Sequence, residues 1–162
     1  MGTSAHHDRI LAFAVTTGQM ATVFVVQGKL RDWQMWRQVT GCPTKARSKL
    51  RILMATHEPT LIACEDPDQG CRKRGKSLKL LRTLVQAVAD EPIRHAKLPR
   101  PRHYRTRYEE AEALSRRFPE ISPWCPKPRK SYENDAKNLP YFEALAYAAA
   151  VLDTMERSRS ES

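Results

Sequence analysis

No apolar run in this sequence approaches the roughly 18 residues needed to cross a bilayer, and no signal peptide precedes the first apolar segment. Both absences argue against a membrane protein. They make the cytoplasm, or an organellar or phage-encoded equivalent, the expected location. None of the four cysteines (Cys42, Cys64, Cys71 and Cys125) forms a CxxC pair, so there is little support for a zinc site, and reduced thiols are the simple reading. There is no internal repeat and no linker long enough to separate two domains. Acidic residues are also scarce, 18 Asp and Glu against 28 Lys and Arg, for a net charge of +10. A small, strongly basic chain is most often a polyanion binder, with nucleic acid the first candidate.

The 162 residues are enough for one domain with a hydrophobic core. We expect a flexible N-terminus over 1–8, a single domain over 9–156 and a disordered tail over 157–162. Residues 9–15 (RILAFAV) and 20–26 (MATVFVV) are short, apolar and rich in β-branched and aromatic residues, as buried strands are. The short TTGQ between them makes an antiparallel hairpin. After a second turn, LRDWQMW alternates as a third strand at a sheet edge, where Trp33 and Trp36 are core, edge cover or a contact with a second chain.

The spacing then predicts a helix over 44–57 capped by Thr44, a strand over 60–64, a helix over 77–90 capped by Ser77 and a short strand over 93–98. A helix over 104–118, a proline-rich loop over 122–138 and a last helix starting at Pro140 complete the order. Strands joined through helices lie parallel. The expected fold is therefore α/β, a mixed sheet of three antiparallel strands followed by β-α-β-α, with helices on both faces.

Two acids stand out. Glu65 and its neighbours Asp66 and Asp68 end a buried strand, at the carboxyl edge where open α/β sheets place their sites. They could simply solubilise that junction. Against this, Arg72, Lys73, Arg74, Lys76, Lys79 and Arg82 follow at once with no acid among them, and carboxylates beside a basic loop suit a cation held against phosphate. Glu143 interrupts the apolar run of the last helix, where the helix dipole alone also favours an acid. A second basic stretch, RHAKLPRPRHYRTR over 94–107, brings Arg100, Arg102, Arg105 and Arg107 for phosphate contacts and Tyr104 for base stacking. His95 and His103 have no recognisable metal-ligand spacing.

The strand order, the TTG turn after strand one, the ACE at the end of strand four and the FEALAYA of the last helix together resemble the RNase H-like superfamily. The RuvC-type Holliday-junction resolvases and their phage relatives are the nearest branch. The resemblance covers about residues 9–153 and implies an RNase H-like mixed five-stranded sheet and metal-dependent cleavage of branched DNA by a homodimer. It also implies two Mg2+ or Mn2+ ions about 3.5–4 Å apart. Glu65 matches the central-strand glutamate and Glu143 the last acid of the final helix, which makes them the expected catalytic and metal residues. Asp66 is a weaker third candidate, because neighbouring strand residues point to opposite faces.

The sequence departs from the family pattern twice. Ala14 stands where the first-strand aspartate belongs, and Pro140 stands where relatives often have another acid. Asp135 and Asp153 are the nearest other acids, but neither has the right spacing. Ala14 fits either an Asp→Ala change made to trap a nuclease on intact DNA or a natural pseudonuclease that only binds. Cleavage of RNA–DNA hybrids is a third activity compatible with the resemblance.

Overall fold

The computed structural model describes residues 8–39, 41–128 and 137–161. Strands β1 (Arg9–Thr16), β2 (Gln19–Val26) and β3 (Lys29–Arg37) form a meander. They are followed by α1 (Pro43–His57), β4 (Leu61–Glu65), α2 (Gly75–Ala89) and β5 (Arg94–Leu98). The chain ends in α3 (Arg107–Arg117), a 3-10 helix (Pro119–Trp124) and α4 (Leu139–Glu161).

The sheet order is β3-β2-β1-β4-β5. β1–β2 and β2–β3 pair antiparallel, and β1–β4 and β4–β5 pair parallel, as the element order predicts. β3 lies at one edge. The β2–β3 turn is tight because Gln27 and Gly28 both take positive φ, 55° and 76°, the conformation a two-residue hairpin of this twist requires.

Alternation along the strands divides the core in two. Ile10, Ala12, Ala14, Leu61 and Ala63 face α3 and α4, and Leu11, Phe13, Val15, Ile62 and Cys64 face α1 and α2. The α2 helix buries Leu80, Leu81, Leu84, Ala87 and Val88, a stripe at helical spacing worth about 1.5–3 kcal/mol per fully buried leucine. The α4 helix is apolar nearly all round in its first half and packs against β1, β2 and β4, which makes it the central helix of its face. Trp33 packs edge-on against Trp124 on the α4 face, and Trp36 packs on the opposite face, so each covers one side of the edge strand.

Several boundaries differ from expectation. Cys42, not Thr44, precedes α1, with Pro43 in its first turn and no side-chain cap. The α2 helix begins at Gly75, two residues before Ser77, again without a side-chain cap. The α3 helix starts at Arg107 rather than Tyr104, because Thr106 caps it: its hydroxyl accepts the Glu109 N–H at 3.1 Å. Ser122–Trp124, read as loop, belong to the 3-10 helix. The α4 helix continues to Glu161, through the segment 157–161 expected to be unstructured. Arg159 there reaches Asp8 at 3.0 Å. The N-terminal residues 1–7, residues 129–136 with Asp135, and Ser162 lie outside the described residues. No helix among the described residues is long and apolar enough to cross a membrane.

Candidate nucleic-acid interface and carboxylate site

The parallel strands β1, β4 and β5 all end at one edge of the sheet. That edge collects Thr16 and Thr17 from the first hairpin, Glu65 from β4 and the 99–106 segment that follows β5. The β1–β4 register pairs Ile10 with Leu61 and Ala12 with Ala63. Continued by two residues, it sets Ala14 abreast of Glu65 on the α4 face. Glu143, in the second turn of α4, approaches from above.

Glu65 and Glu143 converge on one group, the Lys73 ammonium, which donates to Glu65 Oε1 and, at 2.9 Å, to Glu143 Oε2. The exposures of Lys73, Glu65 and Glu143 are 15%, 3% and 12%, so the triad is largely shielded from water. Burial alone would lower the Lys73 pKa. The Glu143 charge, with the hydrogen bonds to both glutamates, outweighs it and holds the group above the usual lysine range. Lys73 is therefore an ammonium at neutral pH.

Two further groups complete the network. The Tyr147 hydroxyl donates to Glu143 Oε2 at 3.0 Å, one helical turn on. Arg100 forks onto Glu110, with Nη2 at 2.6 Å from Oε1 and Nη1 at 2.9 Å from Oε2, and its Nε lies 3.7 Å from Glu143 Oε1. Burial opposes the Arg100 charge, but the Glu110 hydrogen bonds and the Glu143 charge hold it firmly protonated.

Tyr147 gives this network a pH signature. Burial first, then the Glu143 and Glu65 charges, raise its hydroxyl far above the ordinary value of 10.0. The neutral phenol's contribution is present below pH 10.0 and is lost above it, as the unfolded chain ionises there. Tyr147→Phe should lower stability by about 1 kcal/mol at neutral pH and flatten the alkaline loss. Urea unfolding from about pH 9 to about pH 11 reads both.

Of the other expected site residues, Asp66 belongs to a turn. Its Oδ1 accepts the Asp68 N–H at 2.9 Å and its own N–H donates to Leu98 O at 2.7 Å. Asp153 pairs with Arg117 on the outside of α4 at 2.9 Å. Pro140 is buried in the first turn of α4 and offers no oxygen beyond its carbonyl. Arg72, Arg74, Lys76, Arg102, Tyr104, Arg105 and Arg107 are all exposed. Arg72, Arg74, Arg102 and Arg107 border an open cavity of about 460 Å³ with Glu65 and Glu143 at its wall. Lys73 and Arg100, expected at the phosphate surface, also line this cavity, but each is held in ion pairs, Lys73 with Glu65 and Glu143 and Arg100 with Glu110 and Glu143.

Sequence reasoning missed Glu110 and Tyr147. Glu110 is buried with Ala111 and Leu114 on one face of α3, and that helical spacing was visible in the sequence. Tyr147 lies four residues after Glu143, on the same helix face.

The donor set does not fit a two-ion centre. Two carboxylates face each other, one ammonium already joins them, and neither Ala14 nor Pro140, where the resemblance led us to expect further acids, offers a side-chain oxygen. Among the described residues no three His, Cys, Asp or Glu side chains come together at one place.

No protein-family model matches the chain, and no curated protein does. Solved structures do. Thermus thermophilus RuvC is similar at 10% identity and a TM-score of 0.51, over 88% of this chain and 96% of that one. T. thermophilus RuvC in complex with Holliday junction substrate reaches a TM-score of 0.60 at 10% identity, over 91% of this chain and 98% of that one. Fowlpox virus resolvase, in complex with substrate Holliday junction DNA, gives 0.58 at 11% identity over 91% and 98% of the two chains. At such identities the likeness concerns the backbone, and together with the sheet order it shows that this chain has the RNase H-like fold of RuvC-type resolvases.

Proposed function

We propose that this chain binds branched DNA of the four-way-junction type across the carboxyl edge of its sheet, and that it holds that DNA without cutting it. The carrying observation is Lys73, whose ammonium closes the gap between Glu65 and Glu143. The exposed arginines around the cavity, the net charge of +10 and the fold shared with junction-bound resolvases support the binding half of this reading. The missing carboxylate at Ala14 supports the non-cutting half. Two chains per junction fit the two-fold symmetry of a four-way branch.

A second reading has one observation in its favour. Glu65 and Glu143 still converge, so the chain could be a Mg2+- or Mn2+-dependent endonuclease impaired by Ala14 alone. One experiment separates the two readings. A labelled four-way junction, a linear duplex and an RNA–DNA hybrid are titrated by anisotropy, then incubated with Mg2+ or Mn2+ and run on denaturing gels. The first reading expects junction to be bound in preference to the others, two chains per junction, and no cleavage. Cleavage of any of the three supports the second reading, and equal binding to all three removes the branched substrate.

A further inference from the structure

We propose that Lys73 is the resident cation of this site, an ammonium built into the chain where the resolvase fold would otherwise need a divalent ion, so that the site engages DNA phosphate without metal. The placement rests on geometry. Lys73 joins the two carboxylates that converge from β4 and α4, with Glu65 buried and Lys73 and Glu143 partly shielded at the wall of the open cavity. Two acids brought that close repel each other unless a cation or a shared proton lies between them.

The loop that carries Lys73 is held at its root. It leaves β4 through the Asp66 turn, which is fastened to the end of β5. Lys73 lies eight positions after Glu65, with which it pairs.

The departures from the resolvase pattern agree with one cation of single charge. Glu65, Glu143 and Glu110 face Lys73 and Arg100, three acids against two cations. An acid at position 14, abreast of Glu65, would add a fourth acid to a group that already holds one more acid than cations. Ala14 and Pro140 add no carboxylate to the two that Lys73 joins.

An ammonium has three N–H donors, and two are committed to the glutamates. The third remains for a phosphate oxygen arriving between Arg72, Arg74 and Arg102 at the cavity mouth. This last step rests on the reading that DNA docks on this edge. The cation assignment itself does not.

Manganese titration followed by electron paramagnetic resonance tests the assignment with no DNA present. The unmodified chain is expected to bind no Mn2+ saturably up to about 1 mM. Lys73→Ala frees the carboxylates and should gain one Mn2+ per chain, at least about tenfold tighter, with a melting temperature that rises as Mn2+ is added. Lys73→Ala/Glu143→Gln should lose that ion again. One Mn2+ bound by the unmodified chain and abolished by Glu143→Gln would overturn the proposal, and this arm stands even if Lys73→Ala does not fold. A folded Lys73→Ala that gains no Mn2+ overturns it equally. Failure of the unmodified chain to bind a junction would remove the docking reading and leave the manganese result to judge Lys73 alone.

Discussion

Arg100→Ala is expected to lower the unfolding free energy by about 3–5 kcal/mol, which for a domain of this size is a large part of a total of about 5–15 kcal/mol. The cause is the group left behind. Glu110 is only 5% exposed and takes both of its close hydrogen bonds from the Arg100 guanidinium. Without it a buried carboxylate has no counter-charge, and Glu143 loses a neighbour at 3.7 Å. Arg100→Lys should recover only part of the loss, since a point charge cannot reproduce the fork. Arg100→Met/Glu110→Leu should recover most of it, because removing both charges of a buried pair costs far less than removing one. Urea unfolding of the three variants beside the unmodified chain measures this. A loss below about 1 kcal/mol for Arg100→Ala would place Arg100 outside the network, as a solvated phosphate contact.

Ala14→Asp is the second change with a large expected effect. In the impaired-nuclease reading it restores the enzyme. Here it should not, because Lys73 still occupies the carboxylates. Ala14 is 1% exposed and abreast of Glu65, which is 3% exposed, so the new acid enters a shielded and already negative place. Several kcal/mol of stability should be lost at neutral pH, with partial recovery in acid, where the new carboxyl is protonated. Junction cleavage with Mn2+ should stay at background for Ala14→Asp. It should first become measurable in Ala14→Asp/Lys73→Ala, where three carboxylates face no ammonium. Cleavage by Ala14→Asp alone would make the missing aspartate the only defect and return the chain to the nucleases.

The outer surface offers a third effect, carried by charge alone. Arg72, Arg74 and Arg102 are exposed at the cavity, and replacing all three by alanine should leave the fold intact. The slope of log affinity against log salt should flatten by about three units, and affinity should fall about a hundredfold near 0.15 M salt. An unchanged slope would remove this edge from the interface.

The sequence made the sheet legible because its strands are short apolar runs separated by turn residues. RILAFAV and MATVFVV need only a hairpin to place them, and Glu65 and Glu143 stood out as acids in apolar surroundings. The helix starts were less legible. Ser77 and Thr44 have the chemistry of caps, but Gly75 and Pro43 begin those helices earlier. Thr106 shows the opposite case, a true cap hidden in a basic run.

The inward turn of Lys73 and Arg100 was not legible. Each lies in a stretch of like-charged neighbours, and a run of basic residues in sequence reads as one solvated face. Which member folds inward depends on where Glu65, Glu110 and Glu143 end up, and that is set by strand register and by the packing of α3 and α4.

The most direct measurement of the central claim is a labelled four-way junction saturated with the unmodified chain, with occupancy followed by anisotropy, then held with Mg2+ or Mn2+ and resolved on a denaturing gel. The junction should be bound in preference to linear duplex and recovered whole. A junction that is cut, or one bound no better than the duplex, contradicts that claim.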